Sequence, residues 1–220
     1  MATEEKPLRA DAERNRRRLL EAAETLFSER GLDVGVGEIA ARAGVGRGTL
    51  FRNFPSKEHL IAAIVVDAMG EVTTRGQELA QQGDPGTSLF EFLDDIVGRQ
   101  QRYRSLFDAI SDAMQTNPDM LAAQAEFLRV LDLLLARAQD AGAVRTDVGA
   151  MDVLMLLKGV CEATSALGVT EPDIVGRQLD LVRAAISVSA AGRPLRGRPR
   201  TLADVEREFR QAGAPGIAAG

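Results

Sequence analysis

Three residues, Gly44-Val45-Gly46, constrain this chain more than any others. They separate two short helical patterns, IAARA at 39–43 and RGTLFRNF at 47–54. A link this short, with glycine at both ends, permits little except a sharp crossing of two helices, the geometry of a helix-turn-helix. Gly44 supplies the left-handed backbone that ends the first of them. Ile39, Ala40, Val45, Leu50 and Phe54 form a candidate small core that fixes the crossing angle, and Ala40 is small enough for close approach. Left on the outer side of the second pattern are Arg47, Gly48, Thr49, Phe51, Arg52 and Asn53.

Those residue types suit duplex DNA. Arginine can fork onto guanine, asparagine can pair with adenine or a phosphate, and threonine can reach a phosphate or a thymine methyl. Lys57, at the start of the next helix, is placed for a phosphate. Upstream, Arg14, Arg16, Arg17 and Arg18 admit two readings. One is a solvated face at a helix start, where the helix dipole does not favour cations. The other is a phosphate clamp outside the groove, favoured by the lack of interleaved acids, with Arg16 and Arg17 as its contacts. Charge is uneven along the chain: the net of −5 divides into +1 over residues 1–60 and −6 over 61–220. Contact with nucleic acid must therefore be local, a basic edge on an acidic body.

The rest of the composition excludes several classes. At 220 residues with 45 % hydrophobic content, the chain can bury a sizeable core in one large or two small domains. No apolar run approaches the ~20 residues of a membrane span, and MATEEKPLRADAERNRRR lacks the apolar centre of a signal peptide. A single cysteine, Cys161, and a single histidine, His59, leave no disulfide framework and no Cys/His zinc site. The expectation is a cytoplasmic protein without cofactor, metal or membrane partner. It is also not an enzyme: no glycine-rich phosphate loop, paired catalytic carboxylates or metal cluster stands out, and Asp94-Asp95 reads as a solvated helix face. His59 reads as a phosphate neighbour or surface residue. Cys161, in an apolar helix, reads as inert core, with a thiol sensor as the other possibility.

Nearly every segment has helical period, so the chain is expected to be all-α. The first helix spans 12–30, with Leu19, Ala22, Ala23, Leu26 and Phe27 on one face and Gly31 at its end. Pro55-Ser56 opens a fourth helix. Ser56 is its N-cap, Glu58 suits the positive end of the dipole, and Leu60, Ile61, Ile64, Val65 and Ala68 are buried. Gly83-Asp84-Pro85-Gly86 breaks it. Further patterns follow at 88–102, 105–115, 118–141, 150–167 and 173–190, and the last two are apolar on more than one face.

Residues 14–60, from the long first helix through IAARAGVGRGTLFRNFPSKEHL, resemble the N-terminal domain of TetR-family transcriptional repressors. The helical remainder, with LLLARAQDAGAVRTDV before two long apolar helices, is similar to that family's effector-binding and dimerisation domain. The resemblance implies a TetR-like fold: a three-helix helix-turn-helix domain at 12–60, a larger helical bundle at 61–191, and a basic, partly disordered tail at 192–220. It implies a homodimer on a palindromic operator of double-stranded DNA, acting as a repressor released by an unidentified small, largely apolar effector. The last two helices would pair with their symmetry mates. Aromatic and sulfur side chains between Phe90 and Met155 are core by default; Tyr103, Phe107, Met114 and Phe127 are the candidates for lining an effector cavity. Three positions depart from the family pattern. Gly35 stands where a capping threonine is usual, Gly37 where some members read bases, and Phe51 where tyrosine is common. Phe51 is expected to keep the packing and lose a hydroxyl.

Beyond Gly192, Arg196-Gly197-Arg198-Pro199-Arg200 resembles the core of an AT-hook, whose arginines enter narrow A·T-rich minor grooves. A solvated tail is the plainer reading. Thr201 and Asp204 could cap a short helix carrying Leu202, Val205 and Phe209. A non-enzymatic rival uses this tail and the basic edge as an architectural DNA binder without effector, although the overall acidity counts against it.

Overall fold

Two left-handed glycines punctuate the N-terminal part of the molecule. Gly31 (φ 73°) ends a long helix and Gly44 (φ 69°) ends a short one, as the sequence leads one to expect. The computed structural model describes residues 5–110, 117–166, 172–188, 195–197, 199 and 207. The chain divides into two compact units, 1–67 with 104–115, and 68–103 with 116–220.

The first unit contains α1 (Glu5–Arg30), α2 (Val36–Arg42), α3 (Arg47–Asn53), the opening turns of α4 (Lys57–Gln82) and the short α6 (Arg104–Asp108). Helix α1 begins at Glu5 rather than Ala12. Residues 5–11 carry no apolar stripe, so periodicity is silent there. Good helix formers extend the helix all the same, and Pro7 falls in the first turn, where its missing N–H costs nothing. Helices α1, α2 and α3 pack on one another. Leu19, Ala23, Ile39, Ala40, Leu50 and Phe54 are buried on their inner faces, together with Leu60, Ile61, Ile64 and Val65 of α4. Burying Leu50 completely is worth about 1.5–3 kcal/mol relative to leaving it exposed. Ser56 stands at the start of α4, its hydroxyl 3.4 Å from the His59 N–H and 2.8 Å from His59 Nδ1.

The second unit contains the rest of α4, α5 (Ser88–Arg102), α7 (Pro118–Asp140), α8 (Ala150–Ala166) and α9 (Pro172–Ile186). Helix α5 packs against α7, α8 and α9; α8 also meets α7 and α9. Phe92, Leu93, Leu131, Leu134 and Leu157 are buried in a single cluster. Helix α4 approaches this cluster closely at Gly76, where a Cβ would come within 2.6 Å of Phe92 Cε2 and 2.5 Å of Val130 Cγ1. Asn117 caps α7, accepting the Asp119 N–H at 2.9 Å, with Pro118 in the first turn.

Two expected helices end early. Within the pattern at 105–115, the described residues give a helix over Arg104–Asp108 that stops before Ala109, and 111–116 lie outside the described residues. The pattern at 173–190 ends at Ile186. There the backbone leaves the helix to pair with 143–145: Arg145 N–H donates to Ile186 O at 3.0 Å, and Val188 N–H to Ala143 O at 3.2 Å. The resulting antiparallel bridge, Val144 with Ser187, is the only β pairing among the described residues. Among those residues no helix is long and apolar enough to cross a membrane.

Candidate nucleic-acid interface

Helix α3 starts because Gly46, extended at φ −73° and ψ 152°, turns its carbonyl to accept the Thr49 and Leu50 N–H groups at 2.9 and 3.2 Å. It stops at Phe54, whose N–H still bonds Leu50 O at 2.8 Å while its own backbone is already extended. The helix has a sharply two-sided character. Leu50 is fully buried, as is Phe54 at its C-cap, whereas Arg47, Gly48, Phe51 and Arg52 are exposed and Thr49 and Asn53 are half-buried. No acidic residue lies in its first turn, and RGTLFRN contains none anywhere. The outward strip is thus uniformly cationic or neutral, which suits a polyanion.

Phe51 corrects an expectation. It is 47 % exposed and so keeps only part of the packing assigned to it from the sequence. Leu50 and Phe54 already fill the inner side, and Phe51, about 100° round the helix from Leu50, falls at the edge of the exposed strip.

The polar side chains of the strip are individually placed. The Arg47 guanidinium lies over Gly37 of α2, where a Cβ would stand 2.7 Å from Nε and 2.9 Å from Cζ. Arg52 reaches back along its own helix, with Nη2 3.7 Å from the position a Gly48 Cβ would take. Asn53 donates from Nδ2 to Thr49 O at 2.8 Å, which leaves one amide hydrogen and the carbonyl oxygen for another partner.

Around the strip, the cations divide into those already engaged and those turned outward. Lys57 donates to Leu32 O and sits 5.5 Å from the centre of the Phe27 ring, so a phosphate would compete with these internal partners. Arg16 is half-buried with its guanidinium 4.7 Å from the Phe54 ring centre. Arg14 is paired with Asp11, while Arg17 and Arg18 are exposed. Helix α2 manages without the side-chain cap that Gly35 cannot supply. Glu38 accepts weakly from the Gly35 N–H at 3.4 Å and pairs with Arg30. The Arg30 hydrogen bond, and then that from Gly35, hold the Glu38 carboxyl below its ordinary range.

In the second unit Tyr103 is buried, with Arg102 5.5 Å from its ring centre, and Phe127 is half-buried with its ring 5.8 Å from that of Phe92. Phe107 is half-buried in the first unit. Met114 lies outside the described residues, as do Arg198, Arg200 and the candidate tail helix with Leu202, Val205 and Phe209. Cys161 is half-buried; burial, then the neighbouring Glu162 charge, pushes its thiol pKa up. On α8, Val153 and Leu157 face the core while Met155 and Leu156 are exposed, the two-sided apolar character expected of it. Met155, Gly159, Ala163, Ile174, Leu181 and Ala185 line an open groove of about 540 Å³ along α8 and α9.

Sequence reasoning missed two placements: Phe54 as a platform for Arg16, and Gly37 as the floor beneath Arg47. Neither has a periodic signal, since each joins residues on different helices.

Comparison with known proteins places these features in context. Residues 19–64 match the family model described as bacterial regulatory proteins, tetR family. Residues 84–188 match a second, described as transcriptional regulator SbtR-like, C-terminal domain. The chain is 32 % identical over 141 residues to the HTH-type transcriptional repressor KstR of Rhodococcus jostii, covering 61 % of this chain and 64 % of that protein. It is 35 % identical over 117 residues to KstR of Mycobacterium tuberculosis, covering 52 % of this chain and 47 % of that one. It therefore spans less than two thirds of either repressor's length. A TetR transcription regulatory protein from Mycobacterium vanbaalenii superposes with a TM-score of 0.62 at 35 % identity, covering 83 % of this chain and all of that one.

Proposed function

The chain belongs to the TetR family of bacterial transcriptional regulators, DNA-binding proteins rather than enzymes, and from that premise we propose that it is a homodimeric repressor of a palindromic operator, released by a small, largely apolar effector. The observation that carries this reading is the two-sided α3, with Leu50 inside and a strip of Arg47, Gly48, Phe51 and Arg52 outside. In this reading α3 enters the major groove. Arg47 and Arg52 read guanine edges, Asn53 and Thr49 reach a base or phosphate, and exposed Phe51 meets a thymine methyl. Arg16, Arg17 and Lys57 serve phosphates.

The second partner is another copy of the chain. Exposed Met155, Leu156, Ile174 and Leu181 on α8 and α9 support that assignment, and Gly159, Ala163 and Ala185 let backbones approach. The helix-turn-helix domain of 12–60 is then presented twice, about one DNA turn apart, by a dimerisation and effector domain of 61–191. The tail, 192–220, remains outside this machinery. An effector bound within the helical part of the chain would release DNA only through its preference for the dimer with mis-spaced recognition helices. Passing from almost fully competent to almost fully released takes on the order of 5 kcal/mol of such preference.

Genomic pull-down of DNA bound to the protein, followed by titration of the recovered duplex and a scrambled version, tests the reading. A palindromic site bound far more tightly than the scramble is expected. Equal affinity for both would overturn it and favour an architectural binder.

A further inference from the structure

We propose that Gly37 is a specificity-determining residue: its missing side chain makes a seat on α2 for the Arg47 guanidinium and thereby sets which base edge Arg47 can read. The proposal rests on the reading of Arg47 as a base contact. Its own ground is geometric. A Cβ at position 37 would stand 2.7 Å from Arg47 Nε and 2.9 Å from Cζ, closer than carbon tolerates, so any other residue there must move the guanidinium.

The neighbouring glycines do nothing comparable. A Cβ at Gly44 or Gly46 would meet nothing within 4 Å. At Gly35 or Gly48 it would make an ordinary contact of 3.7 Å, with Glu38 and Arg52 respectively. Gly37 alone among them confronts Arg47. Nor is it needed for the backbone, since its φ is not positive and it lies within the helix Val36–Arg42. There glycine is the poorest helix former after proline. A residue unfavourable to its own helix, yet lying directly beneath a cation of the reading strip, is best accounted for by what it leaves room for.

The obstruction is the far end of a flexible side chain, not backbone, so a methyl group at 37 displaces Arg47 without disturbing the packing of α2 on α3. A forked contact to a guanine edge depends on the plane and direction of approach of the guanidinium. Lying against α2 at Gly37, the guanidinium has one direction of approach; displaced by a methyl group there, it must take another. Gly37→Ala therefore leaves the fold and the charge intact while changing what is read.

The test uses four full-length proteins: wild type, Gly37→Ala, Arg47→Ala and the double variant. Each is titrated with the operator duplex recovered by pull-down and with a scrambled duplex of the same composition, and each is melted thermally. Either single variant is expected to lose about tenfold in preference for operator over scramble, the scale of one bidentate contact. The double variant should lose no more than Arg47→Ala alone, and Gly37→Ala should melt no lower than wild type. If Arg47→Ala loses preference but Gly37→Ala keeps it, the seat is refuted while the reading of Arg47 stands. Losses that multiply in the double variant, or a lowered melting temperature for Gly37→Ala, refute it equally. If Arg47→Ala itself keeps full preference, the reading of Arg47 fails and the seat falls with it.

Discussion

The Arg16 guanidinium lies 4.7 Å from the centre of the Phe54 ring, so a cation of the first helix rests on the residue that caps α3. Phe54 is buried, yet its π face is the surface on which Arg16 is held. The contact couples a charge to the position of α3.

Arg16 and Arg17 should therefore behave differently although they are adjacent. Arg16→Ala is expected to destabilise the protein by about 0.5–1 kcal/mol, the worth of a cation–π contact at an accessible site. Arg17→Ala should leave stability within about 0.5 kcal/mol of wild type, because Arg17 is exposed. Both should weaken operator and scrambled DNA alike and lower the salt dependence of binding, by about one ion for each phosphate no longer neutralised. Denaturant melts and binding titrations across a salt series check both.

The inner and outer sides of α3 can be separated by substitution. Leu50→Ala removes a fully buried side chain and is expected to cost about 2–5 kcal/mol in chemical denaturation. Phe51→Ala, on the 47 % exposed side, should change stability by no more than about 0.5 kcal/mol and reduce operator affinity. A large stability loss at Phe51 would place it back in the core.

The apolar strip on α8 and α9 makes a further prediction. Leu181→Glu and Met155→Glu each put a charge on a side chain more than half exposed in the single chain. Sedimentation at micromolar concentration should show wild type as a dimer and these variants shifted towards monomer, with operator binding lost in parallel. Variants that stay dimeric would assign the seam elsewhere.

Acid should act through Asp147. Its carboxyl is held well below the usual carboxylate range, first by the Arg145 side chain (2.5 and 2.8 Å), then by the Leu195 N–H at 3.0 Å. A pKa depressed in the folded state contributes stability that is fully present above the ordinary value of about 4 and is lost as pH falls towards the folded value. Asp147→Asn should consequently melt below wild type at pH 7, and the gap should narrow as pH is lowered past about 4. Melting curves at pH 7 and pH 3 check the sign.

Elements with a strong apolar period or a glycine stop were legible in the sequence: α5 occupies its expected residues, Gly31 ends α1, and Gly44 takes the left-handed conformation assigned to it. Where periodicity is silent, boundaries moved. Residues 5–11 are helical on propensity alone, and α9 gives up its last turn because the backbone at 143–145 offers Ile186 and Val188 other partners. At the interface, the sequence identifies the strip but not the state of its members. That Lys57 is engaged with Leu32, that Arg16 rests on Phe54 and that Gly37 underlies Arg47 are relations between different elements, which spacing within one element does not encode.

The most direct test of the central claim, that α3 of each subunit lies in a major groove, is methylation interference on the recovered operator. Guanine N7 projects into the major groove, so a methyl group there blocks a forked arginine. The expected result is two clusters of interfering guanines, centred about 10–10.5 base pairs apart and symmetric about the palindrome. Binding that is indifferent to N7 methylation throughout the site would contradict the account.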